Sequence, residues 1–211
     1  MATDVVVASV IDNSLSVLLI RRTEWPEYGS WVLPGGFVRR DDRFDDAARR
    51  VLETKVSIDR RRPLTRLNFF DNPNRDPRTK VGSLAYLCLA GPSEVALAAE
   101  APYRTLGTIV GDKVQVNGEY VELGFDHGEI LAYACDEMRR RVQADTLWIT
   151  PALSDDGTFT VASLNRARVT LGLGMTEDAL RRRISGDGRV TADGWVDSGT
   201  GKPSRLYTTQ L

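Results

Sequence analysis

This 211-residue chain has little of what builds covalent or metal scaffolds, with two cysteines and a single histidine. Cys88 and Cys135 each sit inside an apolar run, too few and too far apart for a disulfide framework or a zinc site. No apolar run approaches the roughly 18 residues that a membrane-spanning helix needs. The opening Met1-Ala2-Thr3-Asp4 lacks the basic and apolar regions of a secretion signal. Internal repeats and low-complexity tracts are absent as well. These absences lead us to expect a soluble cytoplasmic protein with no structural metal and no membrane partner.

What is present is an ordinary globular balance, 42% hydrophobic and 27% charged, at a length that suits one domain and a smaller second one. The net charge of −1 conceals a division. Residues 160–211 carry eight Lys or Arg against five Asp or Glu, a balance of +3, which leaves −4 for the remainder. A basic tail on an acidic body suits a polyanion partner for the tail alone.

Along the chain, two β-branched runs at 5–11 and 16–20 flank Asp12-Asn13 and read as a hairpin. The run Trp31-Val32-Leu33 ends in Pro34-Gly35-Gly36. A helix is expected from about 43 to 56, because Phe44, Ala47, Ala48, Val51, Leu52 and Val56 share one face. Strands are expected at 64–70, 82–90 and 107–116, with a proline-bracketed loop at 71–78. A second helix at about 128–143 has Asp126 and Glu129 in capping-box spacing. After a turn at 154–157, Thr160 reads as the N-cap of a helix that stops at Gly172, with Phe159 and Leu164 as its hydrophobic staple. Thr176 reads as the N-cap of a further helix through Ser185, and residues 188–209 as a hairpin. Helix, short turn, helix, hairpin is the order of a winged helix-turn-helix.

The segment from Pro34-Gly35-Gly36-Phe37-Val38 through Ala47-Ala48-Arg49-Arg50-Val51-Leu52-Glu53-Thr54-Lys55-Val56-Ser57-Ile58 resembles the Nudix box. In that box, a loop–helix–loop holds carboxylates around divalent ions that activate water against a diphosphate. Gly36, Asp42, Arg50, Leu52 and Ile58 fall on its pattern. Val51, Thr54 and Lys55 replace three of its glutamates, and Ser57 replaces its last glycine. An ammonium in place of anionic ligands opposes a bound cation. The scaffold then keeps a cavity, backbone amides at Gly35 and Gly36, and arginines for a diphosphate. Arg21, Arg39, Arg50, Arg75 and Arg78 are the candidates, since a guanidinium takes phosphate bidentately. Trp31 and Phe37 are expected in the core, with adenine stacking as the alternative; Arg60-Arg61-Arg62 is expected in a solvated loop, and His127 in an interdomain or packing role.

A degraded Nudix domain followed by a winged helix resembles the Nudix-related transcriptional repressors of NAD metabolism, the NrtR family. The likeness includes Pro73-Asn74-Arg75-Asp76-Pro77-Arg78, Phe125-Asp126-His127 and Gly201-Lys202-Pro203-Ser204-Arg205-Leu206-Tyr207. It implies an α+β protein with an α/β/α sandwich around a mixed sheet at about 1–150 and a winged helix-turn-helix at about 155–211. It also implies a homodimer on palindromic operator DNA of NAD biosynthesis or salvage genes, released by ADP-ribose or a related nucleotide. Neither a cofactor nor catalysis is expected; the alternative is a hydrolase of ADP-ribose or a dinucleotide. The tail agrees from its own residues. With Leu180 and Ile184 facing inward, Arg181, Arg182 and Arg183 are expected to point outward on the second helix, placed to reach phosphates or guanine edges, the alternative being a solvated face. Lys202 and Arg205 on the hairpin are the remaining DNA-contact candidates. Arg139-Arg140-Arg141 lies late in its helix, where cations suit the dipole.

Overall fold

The computed structural model of the protein describes residues 1–197 and 203–210. Strands β1 (Ala2–Ile11) and β2 (Ser14–Arg21) form the expected hairpin. Asp12 and Asn13 both take positive φ, 49° and 64°, the turn whose twist matches the flanking strands. The strand pair sits at the centre of a mixed sheet of order β5-β6-β1-β2-β7-β8-β9. Its other members are β5 (Leu64–Phe70), β6 (Ser83–Leu89), β7 (Arg104–Val110), β8 (Lys113–Val116) and β9 (Glu119–Val121). The short strands β3 (Trp31–Val32) and β4 (Gly35–Phe37) pair with β2 and β1. Strand β1 is parallel to β6 and antiparallel to its other partners.

The apolar run in β1 follows from burial on both faces. Val5 and Val7 face α1 (Phe44–Val51) and α2 (Pro92–Ala99), while Val6 and Ala8 face α3 (His127–Ala144). Helices on both sides of a mixed sheet make the expected α/β/α arrangement.

Four local features differ from the sequence-based expectation. The stretch 107–116 is not one strand but the β7–β8 hairpin, turning at Gly111 (φ 70°). Asn117 and Gly118, also at positive φ, then turn the chain into β9. Helix α2, which opens with Pro92, was not anticipated. The helix at 43–56 is α only to Val51 and then widens into a π turn, Leu52–Val56, that ends at Ser57 in the left-handed region. Finally, Asp126 does not cap α3 with its side chain; both carboxylate oxygens accept bonds from Arg75 at 2.7 Å. A guanidinium 51 residues away outcompetes the local amides.

The C-terminal elements are β10 (Thr158–Thr160), α4 (Val161–Thr170), α5 (Glu177–Ser185), β11 (Val190–Val196) and β12 (Ser204–Thr209). The hairpin β11–β12 is joined by β10, an unanticipated third strand, in the order β10-β12-β11. Thr160 Oγ1 accepts from the Ser163 amide and Ser163 Oγ from the Thr160 amide, both at 3.0 Å, a reciprocal cap. Gly172 takes φ 73° just past α4, where only a residue free of Cβ strain stops a helix cheaply. Thr176 caps α5 through the Ala179 amide.

This C-terminal part is anchored to α3. Leu164, Leu171, Leu180, Ile184 and Tyr207 belong to the same hydrophobic cluster as Val6, Leu131, Met138 and Val142. The buried Arg168 donates to the Val142 carbonyl and to Thr146 Oγ1, both at 3.2 Å, closing the C-terminal end of α3. Arg189 makes a bidentate pair with Asp145 just beyond it.

Candidate functional site

Where β1, β4, the π turn, the 71–78 loop and the start of α3 converge, they enclose a cavity of about 720 Å³. All seven sequence-derived candidates, Arg21, Gly35, Gly36, Arg39, Arg50, Arg75 and Arg78, lie on its wall, joined by Arg22, Lys55, Phe125 and His127. The acids on that wall are Asp4, Glu24 and Asp76.

The floor is a buried ionic network. Arg75 reaches Asp126 through two bonds and Asp4 through a third at 2.9 Å, with all three side chains nearly solvent-free. Asp4 also accepts from Ser83 Oγ at 2.7 Å and lies 3.4 Å from His127 Nε2. Burial works to raise the Asp4 carboxyl; His127, the Ser83 hydroxyl and the Arg75 guanidinium outweigh it and bring it to about 2. The Leu33 amide donates to His127 Nδ1 at 2.9 Å, which leaves Nε2 as the nitrogen bearing the proton toward Asp4. Gly35 is required here, because a Cβ would sit 2.1 Å from Asp4 Oδ1.

Around the rim, arginines are held by carboxylates and rings. Arg50 binds Asp42 at 2.6 Å and the Phe37 carbonyl at 3.1 Å. Its hydrogen bond is the main reason that the Asp42 carboxyl lies below its ordinary value. Arg78 grips Asp76 with two bonds, at 3.0 and 2.7 Å, and its guanidinium covers the Phe37 ring at 5.5 Å. Phe37 is therefore not a core residue as expected but half exposed. Trp31 is only partly buried, with Arg21 over its ring at 5.6 Å. Among the described residues, Arg39 and Lys55 have no carboxylate in ion-pair contact.

The box positions do not fit a divalent ion. Val51 is buried beneath Gly36, Glu53 pairs with Arg60, and Lys55 puts an ammonium on the wall. Of the acids on or beside the wall, Asp4, Asp42 and Asp76 are each engaged by a guanidinium, which leaves the single carboxylate of Glu24, too few for the ligand set of a divalent ion. Among the described residues no group of three His, Cys, Asp or Glu is placed to hold a metal.

The second cationic surface is α5. Leu180 and Ile184 are buried, whereas Arg181, Arg182 and Arg183 are exposed. The Arg183 guanidinium donates to the Gln143 carbonyl at 3.4 Å. On the hairpin, Arg205 lies 6.0 Å from both the Trp195 and Tyr207 rings. Lys202 lies outside the described residues. Arg62 is half-buried on Glu94 rather than solvated with Arg60 and Arg61. Arg139, Arg140 and Arg141 pair with Asp136 and Glu137 one turn earlier on α3. Sequence reasoning missed Asp4, Asp76 and Trp195. The available signals were an acid inside an apolar strand, an acid between two candidate arginines, and a tryptophan in a polar hairpin.

Comparison with known proteins places this geometry. Residues 1–102 match the NUDIX domain model. The chain is 28% identical over its whole length to the ADPR responsive transcriptional repressor NtrR of Acinetobacter baylyi, covering 82% of that protein. It is 29% identical to the ADP-ribose pyrophosphatase of Methanocaldococcus jannaschii, over 60% of this chain and 70% of that one. The crystal structure of Shewanella oneidensis NrtR complexed with a 27mer DNA superposes with a TM-score of 0.78 at 25% identity, covering 100% of this chain and 93% of that one. Among the described residues no helix is long and apolar enough to cross a membrane.

Proposed function

We propose, from the NUDIX match over residues 1–102 and the whole-chain likeness to NrtR-type repressors, that the chain is a Nudix-related regulator of the NrtR family, a cytoplasmic, homodimeric transcriptional repressor of NAD biosynthesis or salvage genes. In this reading residues 1–150 bind a nucleotide effector, ADP-ribose or a relative, and residues 155–211 form a winged helix-turn-helix. Arg181, Arg182, Arg183, Lys202 and Arg205 contact a palindromic operator. Arg21, Gly35, Gly36, Arg39, Arg50, Arg75 and Arg78 frame the effector's diphosphate and ribose.

The observation that carries the reading is the helix that joins the two surfaces. At about 1.5 Å per residue, the 18-residue α3 spans roughly 27 Å from the cavity to α4 and α5. Its first turn is tied to Arg75 through Asp126, and its last turn to Arg168 and Arg183. An anion that draws on Arg75 changes the hold on one end of this rod, while the DNA-contacting helix rests on the other. An effector acts through such a connection only if it binds the two arrangements unequally.

Fluorescence anisotropy of the full chain on DNA from NAD-gene promoters, with and without ADP-ribose, tests the reading. We expect salt-sensitive binding to a palindromic site that weakens with ADP-ribose. Equal affinity for scrambled DNA, or no response to the nucleotide, would overturn it. The likeness to an ADP-ribose pyrophosphatase supports a second reading as a hydrolase. The missing carboxylates favour the non-catalytic one. Release of AMP and ribose phosphate from ADP-ribose in magnesium or manganese at ordinary enzyme rates would reverse that preference.

A further inference from the structure

The box residues that depart from the hydrolase pattern include a positive charge, and its placement gives it a role. Arg50, Thr54 and Lys55 all line the cavity. In a regular α-helix five residues rotate the chain by about 140° net, so Arg50 and Lys55 would diverge. The π turn at Leu52–Val56 underwinds the backbone and turns Lys55 back toward the Arg50 side. The Thr54 hydroxyl is bound back to the Arg50 carbonyl at 2.8 Å, so it offers the cavity no acid and little free hydrogen-bonding capacity. Glu53, the acid of this segment, pairs with Arg60 and is absent from the cavity wall.

On the same wall, Arg50 and Arg78 already hold Asp42 and Asp76. Among the described residues, nothing pairs with the Lys55 ammonium. An anion entering the cavity therefore meets Lys55 without displacing a carboxylate. A primary ammonium on a four-carbon stem is a mobile point charge with three donors, well suited to adjacent phosphoryl oxygens.

We propose that Lys55 is a direct ligand of the effector's diphosphate, supplying the charge that divalent ions supply in the hydrolase box, so that the nucleotide binds with no divalent metal. This rests on the effector reading above and names the residue and the metal independence that go with it.

Titration calorimetry of the full chain with ADP-ribose, in EDTA and again in excess magnesium, tests it. Wild-type affinity is expected to agree within about twofold between the two buffers. Lys55→Gln should weaken binding about tenfold in both, the scale of one charge-assisted hydrogen bond. Lys55→Glu should weaken it further in EDTA and recover part of the loss in magnesium, as a cation returns to the wall. Glu53→Gln, on the adjacent residue outside the cavity, should leave affinity unchanged. Lys55 is exposed, so these variants keep the fold, and identical thermal melts check that. Loss of wild-type binding in EDTA, or unchanged affinity in Lys55→Gln, would overturn this proposal while leaving the effector reading intact. If the wild type fails to bind ADP-ribose in either buffer, the effector reading falls and the proposal with it.

Discussion

The cavity and α5 are both rich in arginine, but they hold it differently. In the cavity, Arg50, Arg75 and Arg78 are each locked to a carboxylate, and Arg78 also covers the Phe37 ring. On α5, three consecutive guanidiniums stand in solvent, and among the described residues Arg183 alone of the three donates to the protein, at a backbone carbonyl. Fixed guanidiniums with restricted rotamers recognise one anion in one pose, because the ordering cost was met on folding. Solvated guanidiniums suit a polyanion, where affinity comes from counterion release and tolerates many geometries. Arginine count alone does not separate the two uses; the carboxylates that hold Arg50, Arg75 and Arg78 mark the cavity, although Arg21, Arg22 and Arg39 on the same wall have no such partner among the described residues.

The hardest test of the locked side is Arg75→Ala. It leaves Asp4 and Asp126 buried without their cation, and breaking a buried pair in this way costs roughly 3–5 kcal/mol, to be read from urea unfolding. A loss below about 1 kcal/mol, the surface-pair scale, would show that the network is not structural.

On the solvated side, changing Arg181, Arg182 and Arg183 together to Ala should lower operator affinity by roughly 100-fold or more. The salt dependence should become shallower by about 0.9 per phosphate contact removed. ADP-ribose affinity should not move. Anisotropy at several salt concentrations distinguishes this from a fold defect, which would reduce both.

Acid titration sharpens the contrast, because Asp4 is buried and the α5 arginines do not titrate. The Asp4 carboxyl is brought to about 2 in the folded protein, below its ordinary 3.8. The unfolded chain therefore binds the extra proton between these values. The stabilisation, about 2 kcal/mol from the separation of the two values, is fully present above pH 3.8 and is lost as pH falls toward 2. Chemical denaturation from pH 5 to 2 measures it, and Asp4→Asn should remove that part of the slope. The smallest expected change is in α4: Thr160→Ala removes an N-cap and should cost about 1 kcal/mol at unchanged m-value.

Much of the framework was legible. The Asp12-Asn13 turn, the Thr160 and Thr176 caps, the stop at Gly172 and the inward Leu180 and Ile184 all appear where residue chemistry indicated. Helix α2 carries little local signal, because its stripe is short and alanine-rich and its first amides are satisfied by Asp155, about sixty residues away. The β7–β8 hairpin read as a single strand because its turn, Gly111-Asp112, falls within one apolar pattern. Phe37 is not in the core because a guanidinium over its face gives it a half-exposed alternative.

The Asp12-Asn13 turn, the Thr160 and Thr176 caps, the helix faces and the missing box carboxylates were determined by sequence alone, because each depends on side chains and amides within about four residues of one another. Which arginines are locked and which stay open was decided only by tertiary structure. Asp126 illustrates the reason: its spacing to Glu129 suits a local cap, yet the fold carries Arg75 to within 2.7 Å of it. In a buried, low-dielectric setting a full charge outweighs a backbone dipole. Proximity across 51 or 71 residues of chain, as from Arg75 to Asp126 and to Asp4, is a property of the packed sheet and helices that no local spacing encodes.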